Sequence, residues 1–182
     1  MMRLGLGYKS VSKITRNSIA TYYPNSTGSI SLKRINDTVP GDSLSGNTNN
    51  ELDSGWLDVI STDDENYYMS SASNDYGGNR VVIQLSSTDI SEFTIIAKGY
   101  GTGGAADPGW RLYVWNANLG SWGTVLDSHV SGSKDTLTAT INSNVTNYID
   151  SSDKINVLVT AHTGTELAGT ASYLYYFELT TA

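Results

Sequence analysis

From about residue 51 onward, apolar and polar positions alternate in short bursts separated by gaps rich in Gly, Asn, Asp and Ser. Val81, Ile83 and Leu85 share one parity, as do Leu137, Ala139 and Ile141, and again Ile155, Val157 and Val159. Tyr173, Tyr175, Phe177 and Leu179 form a last such row. A period of two sends neighbouring side chains to opposite faces, one buried and one wet, as in antiparallel sheets. The pattern predicts strands over 56–60, 66–70, 80–85, 93–99, 110–116, 122–130, 135–142, 154–161 and 171–180. No 11-residue window carries the i, i+3, i+4, i+7 stripe of an amphipathic helix. Short strands with turns between them and no helical crossover predict an all-β, antiparallel two-sheet jelly-roll sandwich.

Residues 1–50 lack sustained alternation. "TYYPNSTGS" reads as a turn around Pro24, Asn25 and Gly28, "SISLKRI" as one short strand, and "NDTVPGDSLSGNTNN" as a polar linker. The expected organisation is a basic extended arm and linker over 1–50 and a β-sandwich domain over 51–182.

Composition supports the strand reading. Ser, Thr, Asn and Gly supply 77 of the 182 residues, which suits turns and solvated sheet faces, while 12 Tyr and 4 Trp provide core-forming mass that a disordered chain lacks. Charge is divided unevenly. Residues 1–34 hold Arg3, Lys9, Lys13, Arg16, Lys33 and Arg34 and no acid, whereas the remainder holds five bases and all 18 acids. A basic arm thus precedes an acidic body, for a net charge of −7. The start "MMRLGLGYKSVSKITRN" has no apolar core of a secretory signal, and no stretch reaches the roughly 18 apolar residues of a membrane span.

Three of the four tryptophans fall in "WRLYVWNANLGSW", residues 110–122. Leu112 and Val114, with Trp110 on the same parity, read as core, and so does Trp122 with Leu126. Arg111, Tyr113 and Trp115 go to the opposite face. There, with Tyr100 and Asp107 from nearby loops, they either form a surface for a glycan or protein partner or pack beneath a loop or the arm.

The segments "LYVWNANLGSW", "TLTATINSNVTNYIDSSDKINVLVTAHT" and "ASYLYYFELT" resemble a jelly-roll β-sandwich module that recurs in structural proteins of phages and archaeal viruses and in secreted multidomain proteins. The resemblance spans roughly residues 52–181. It implies a virion component; carbohydrate-binding members of the group look like galactose-binding jelly rolls and often carry calcium near the early strands. Leu174 and Tyr175 stand where many members have an Asp in the last strand. The opening "MMRLGLGYKS" is similar to the start of small phage virion proteins.

Candidate chemistry is sparse. The chain has no cysteine, which excludes disulfides and thiol catalysis. His129 and His162 are its two histidines, and His162 with Glu166 in "VTAHTGTE" lacks a third ligand for a metal. GxSxG, P-loop and HExxH patterns are absent, so no enzyme activity is expected. Asp63, Asp64 and Glu65 in "STDDEN" offer hard oxygens to calcium, or form a solvated acidic turn; no other cofactor is expected.

The leading expectation is therefore a non-enzymatic virion structural protein: a capsid decoration, minor capsid or tail/spike component. It would dock on other virion proteins or copies of itself through Arg3, Leu4, Leu6, Tyr8, Lys9, Lys13 and Arg16. The alternative is a carbohydrate- or surface-binding module, extracellular or at the cell surface, acting through exposed aromatics. Nucleic acid is a poor partner for six bases backed by an acidic body, and no membrane insertion is expected.

Overall fold

A computed structural model describes residues 19–23, 30–37, 48–51, 59–72, 76–102, 109–130, 132–162 and 170–182. Twelve strands among these residues run β1 (Ala20–Tyr22), β2 (Ile30–Asp37), β3 (Thr48–Glu51), β4 (Tyr68–Ala72), β5 (Tyr76–Gln84), β6 (Phe93–Thr102), β7 (Gly109–Asn116), β8 (Ser121–Trp122), β9 (Asp127–His129), β10 (Asp135–Ile141), β11 (Lys154–His162) and β12 (Thr170–Thr181). A single-turn 3₁₀ helix, η1 (Val145–Tyr148), links β10 to β11. All the pairings are antiparallel, and they build two sheets. One has the order β1-β12-β6-β10, with β4 on the same flank of β12 as β1; the other runs β3-β2-β5-β11-β7-β8, with β9 also on β7. The chain is an all-β, two-sheet sandwich.

The alternating rows fill the space between the sheets. In β6, Phe93, Ile95 and Ala97 point inward and Thr94, Ile96 and Lys98 outward. Across the ladder Phe93 faces Ile141, Ile95 faces Ala139 and Ala97 faces Leu137, so a large side chain repeatedly meets a smaller one. Val81, Ile83 and Leu85 of β5, Leu112 and Val114 of β7, and Ile155, Val157 and Val159 of β11 close the core from the other sheet. Trp110, 1% exposed, reaches across the core to lie over Gly99 of β6, where any Cβ would sit 2.8 Å from its ring.

The last strand departs from strict alternation. Its register against β6 shifts between Leu174 and Tyr176. Such a bulge places one extra residue on one strand and reverses the facing of what precedes it. Leu174, Phe177 and Leu179 therefore enter the core, and Tyr173 and Tyr175 leave the expected inward row for the outer side. The flank of β12 between β4 and β1 is filled by Ile60, whose carbonyl accepts the Phe177 N–H at 3.1 Å and whose side chain is fully buried. Ile60 thus plugs the sheet, and neither it nor Val59 lies in a strand; residues 56–58 of the strand expected over 56–60 lie outside the described residues.

Strands on the N-terminal side of Glu51 also pair into the sheets. Ala20–Tyr22 pairs with Leu179–Thr181, and Ile30–Asp37 pairs along the whole of β5. Tyr22 is buried in the core and exchanges hydrogen bonds with Ser86. Strand pairing needs only backbone groups and one inward row, so these polar segments join the sandwich without strong alternation. The arm residues Arg3, Leu4, Leu6, Tyr8, Lys9, Lys13 and Arg16 lie outside the described residues, as do Asp107 and Glu166.

Candidate functional site

The outer face of the β12-β6-β10 sheet gathers tyrosines from three separate segments. Tyr100 on β6 and Tyr173 on β12 are direct ladder partners, and cross-strand partners share a face. Their rings stack with centroids 4.4 Å apart at an interplanar angle of 9°. The β12 bulge brings Tyr175 beside them, 6.1 Å from Tyr100. Tyr67, just before β4, lies 5.2 Å from both Tyr173 and Tyr175. Tyr67 and its neighbour Met69 are each 43% exposed, so the cluster opens to solvent at this side.

A charged rim borders the rings. The loop before β4 carries Asp63, whose carboxylate accepts from Lys98 Nζ of β6 and lies 3.4 Å from Lys134 Nζ. Lys134 also donates to the Asp64 carbonyl at 3.0 Å and approaches Glu65 at 3.7 Å. Both ammonium groups rest near aromatic faces, Lys134 at 4.8 Å from the Tyr175 centroid and Lys98 at 5.4 Å from that of Tyr176. The hydrogen bond from Lys98 holds the Asp63 carboxyl below its usual range. Burial, then the neighbouring Tyr175 and Tyr173, push the Tyr100 phenol up to about 12. Tyr176 is raised as well, by burial and then by its hydrogen bond to Glu178 at 2.5 Å.

This arrangement redistributes the residues expected from sequence. Asp63, Asp64 and Glu65 do not converge on a common point: Asp63 binds two lysines, and Asp64 turns its carboxylate onto Asn66, accepting from the backbone at 2.8 Å and from the side chain at 3.0 Å. Glu65 stays 93% exposed. Among the described residues no three His, Cys, Asp or Glu side chains group to hold a metal ion. His129 is held between carboxylates, its Nδ1 donating to Asp135 at 2.5 Å and its Nε2 lying 3.5 Å from Asp127. That hydrogen bond lowers the Asp135 pKa.

The Arg111, Tyr113 and Trp115 surface is not open. These residues lie on the other sheet from Tyr100, and Tyr113 and Trp115 are only 4% and 7% exposed. Tyr113 pairs with Leu158, itself buried on the same outer face together with Val82. Trp122 is Trp115's direct ladder partner and packs edge-on against it at 5.4 Å. The turn at 117–120 puts Trp122 on that outer face instead of in the core with Trp110, and Leu126 is 37% exposed. Arg111 is half-buried beside Thr160 and Ser128.

A family model named AF_1625_C, described as "Uncharacterized protein, C-terminal domain", matches residues 19–181, from the first residue before β1 to the end of β12. The chain belongs to the AF_1625_C family. A search of curated protein sequences returned no match. Among solved structures, the chain is similar to a xylan-binding module, CBM15, with a TM-score of 0.52 at 11% identity over 91% of this chain and 97% of that one. It is more distantly similar to TmCBM61, solved with β-1,4-galactotriose (TM-score 0.37, 9% identity, 91% and 90% covered). A family 35 carbohydrate-binding module from Clostridium thermocellum follows at 0.31 (12% identity, 89% and 97% covered). At these identities the likeness concerns architecture alone: the chain shares the β-sandwich fold of the xylan-binding module.

Proposed function

We propose that this protein is a non-catalytic carbohydrate-binding module whose ligand lies on Tyr67, Tyr100 and Tyr173, with Tyr175 buried behind them. The observation that carries the reading is the four-tyrosine cluster on one sheet face, open to solvent at Tyr67 and closed at Tyr175, which is 8% exposed. Aromatic rings offer a flat apolar surface to the C–H faces of a sugar, and phenols exchange hydrogen bonds with hydroxyls. Sharing a fold with a xylan-binding module supports the reading at the level of architecture. The rim ions are engaged with one another, Asp63 with Lys98 and Lys134, which suits a binding face held in shape better than an acid–base pair. The aromatic surface foreseen from sequence thus moves from Tyr113 and Trp115 to the opposite sheet, with Tyr100 common to both. Virion assembly through the basic arm concerns residues outside those described, and the comparisons reported above lend it no support.

Isothermal titration with soluble polysaccharides tests this. Wild type should release heat with at least one of them, and Tyr67→Ala should weaken that affinity by about tenfold with its melting temperature nearly kept. Equal binding by Tyr67→Ala would remove the tyrosine cluster from the ligand's path.

A further inference from the structure

We infer that the tyrosine face takes a single uncharged polysaccharide chain, and neither a crystalline polymer surface nor an acidic glycan; the inference rests on the glycan-binding reading above. Ring geometry carries the first half. Tyr100 and Tyr173 are nearly parallel, at 9°, but they stack on each other and so hide one face each. Tyr67 stands at 66° to Tyr173, while Tyr175 is buried behind them beneath Lys134 and offers no open face. A crystalline polysaccharide presents many sugar rings in one plane, and coplanar protein rings are needed to contact it. Rings inclined to one another at these angles instead match a lone chain whose successive sugars can rotate to meet each ring in turn.

Charge carries the second half. The rim carries the carboxylates of Asp63, Asp64 and Glu65 and the ammonium groups of Lys98 and Lys134, one negative charge in excess; Asp63 and Glu65 face the lysines, and the Asp64 carboxylate turns onto Asn66. Lys98 is hydrogen-bonded to Asp63, and Lys134 is held by Asp63, Glu65 and the Asp64 carbonyl while covering Tyr175. An acidic sugar would have to strip one of these lysines from its carboxylate. It would also approach exposed Glu65 inside the screening distance of about 8 Å at physiological salt. Hydroxyl groups meet neither obstacle, and can donate to the same carboxylates.

The full chain is run through native gels containing soluble xylan, galactan or β-glucan, or polygalacturonate, and is separately mixed with microcrystalline cellulose and sedimented. Retardation by a neutral polymer, lost in Tyr67→Ala or Tyr173→Ala, with free migration in polygalacturonate and no cellulose depletion, is the expected result. Circular dichroism of both variants establishes that they fold. Depletion by cellulose or retardation by polygalacturonate, if abolished by the same substitutions, overturns this inference and leaves glycan binding at the tyrosines standing. No interaction with any of these polymers overturns the binding-module reading itself, and the inference with it.

Discussion

Gly99 is where the core and the tyrosine face depend on the same atom-sized gap. A Cβ built at this position lies 2.0 Å from the Tyr173 carbonyl oxygen and 2.8 and 2.9 Å from two atoms of the Trp110 ring. No side-chain rotation relieves the first contact, because the obstacle is backbone. To restore ordinary contact β12 would have to retreat from β6 by roughly 1 Å or more, against a close-packed interior. Overpacking on this scale costs typically about 1–3 kcal/mol and more where backbone must move, so Gly99→Ala should cost about 3 kcal/mol or more. For a domain of this size that lowers the melting temperature by roughly 6–12 °C. Gly78→Ala is the control: its Cβ would meet only side-chain atoms, each at 3.3 Å, from Leu158 and Thr160. It should cost no more than about 1 kcal/mol. Thermal melts followed by circular dichroism measure both. A Gly99→Ala protein melting within about 2 °C of wild type would refute the placement of Trp110 over β6 and the Leu174–Gly99 register on which the tyrosine face depends.

Further outcomes follow from the same structure. Trp115→Ala should destabilise by about 3–5 kcal/mol, as for a buried aromatic, while calorimetry at a temperature where the variant is still folded shows ligand affinity kept; a near-wild-type melt would return Trp115 to the surface. Because the folded pKa of Asp63 is depressed, its contribution to stability is present above the unfolded carboxylate pKa and is lost as pH falls through the lower folded value. Asp63→Asn should therefore flatten the stability profile below about pH 4, read from denaturant midpoints across acid pH. Tyr100 has the opposite sign: its raised pKa gives stability present below pH 10.0 and lost as pH rises toward about 12. Tyrosinate absorbance should show phenols titrating late, and Tyr100→Phe should remove part of that late phase.

Much of the fold was legible because buried strands write a period of two into the sequence. Val81, Ile83 and Leu85, and likewise Leu137, Ala139 and Ile141, needed no information beyond their spacing. The β12 bulge was not legible: "SYLYYFEL" continues the alternation in letters while the backbone breaks it between Leu174 and Tyr176. That single irregularity moved Tyr173 and Tyr175 from the expected core row to the outer face. The early strands were hidden for a different reason, since Ala20–Tyr22 and Ile30–Asp37 are held by backbone pairing with β12 and β5 inside polar, turn-rich stretches.

The site was harder to see because its parts lie far apart in the chain. Tyr67, Tyr100 and Tyr173 meet only through the order β4-β12-β6, which no local pattern encodes. Tyr100 alone was named from sequence, as a loop residue near the tryptophan-rich segment; it lies instead within β6, on its outward row. The tryptophan-rich segment drew attention by density, yet large rings on an interior strand tend to be buried on both faces, as Tyr113 and Trp115 are. An informative sequence signal was the number of tyrosines, 12 in 182 residues, more than the inward rows alone required.

The two sheet faces make opposite claims on the ligand, and one comparison separates them. Affinity for a retarding soluble polysaccharide would be measured for wild type, Tyr173→Ala on one sheet and Arg111→Ala on the other. Binding lost in Tyr173→Ala and kept in Arg111→Ala is the predicted result. Binding kept in Tyr173→Ala and lost in Arg111→Ala would contradict the assignment and return the site to the tryptophan-rich sheet.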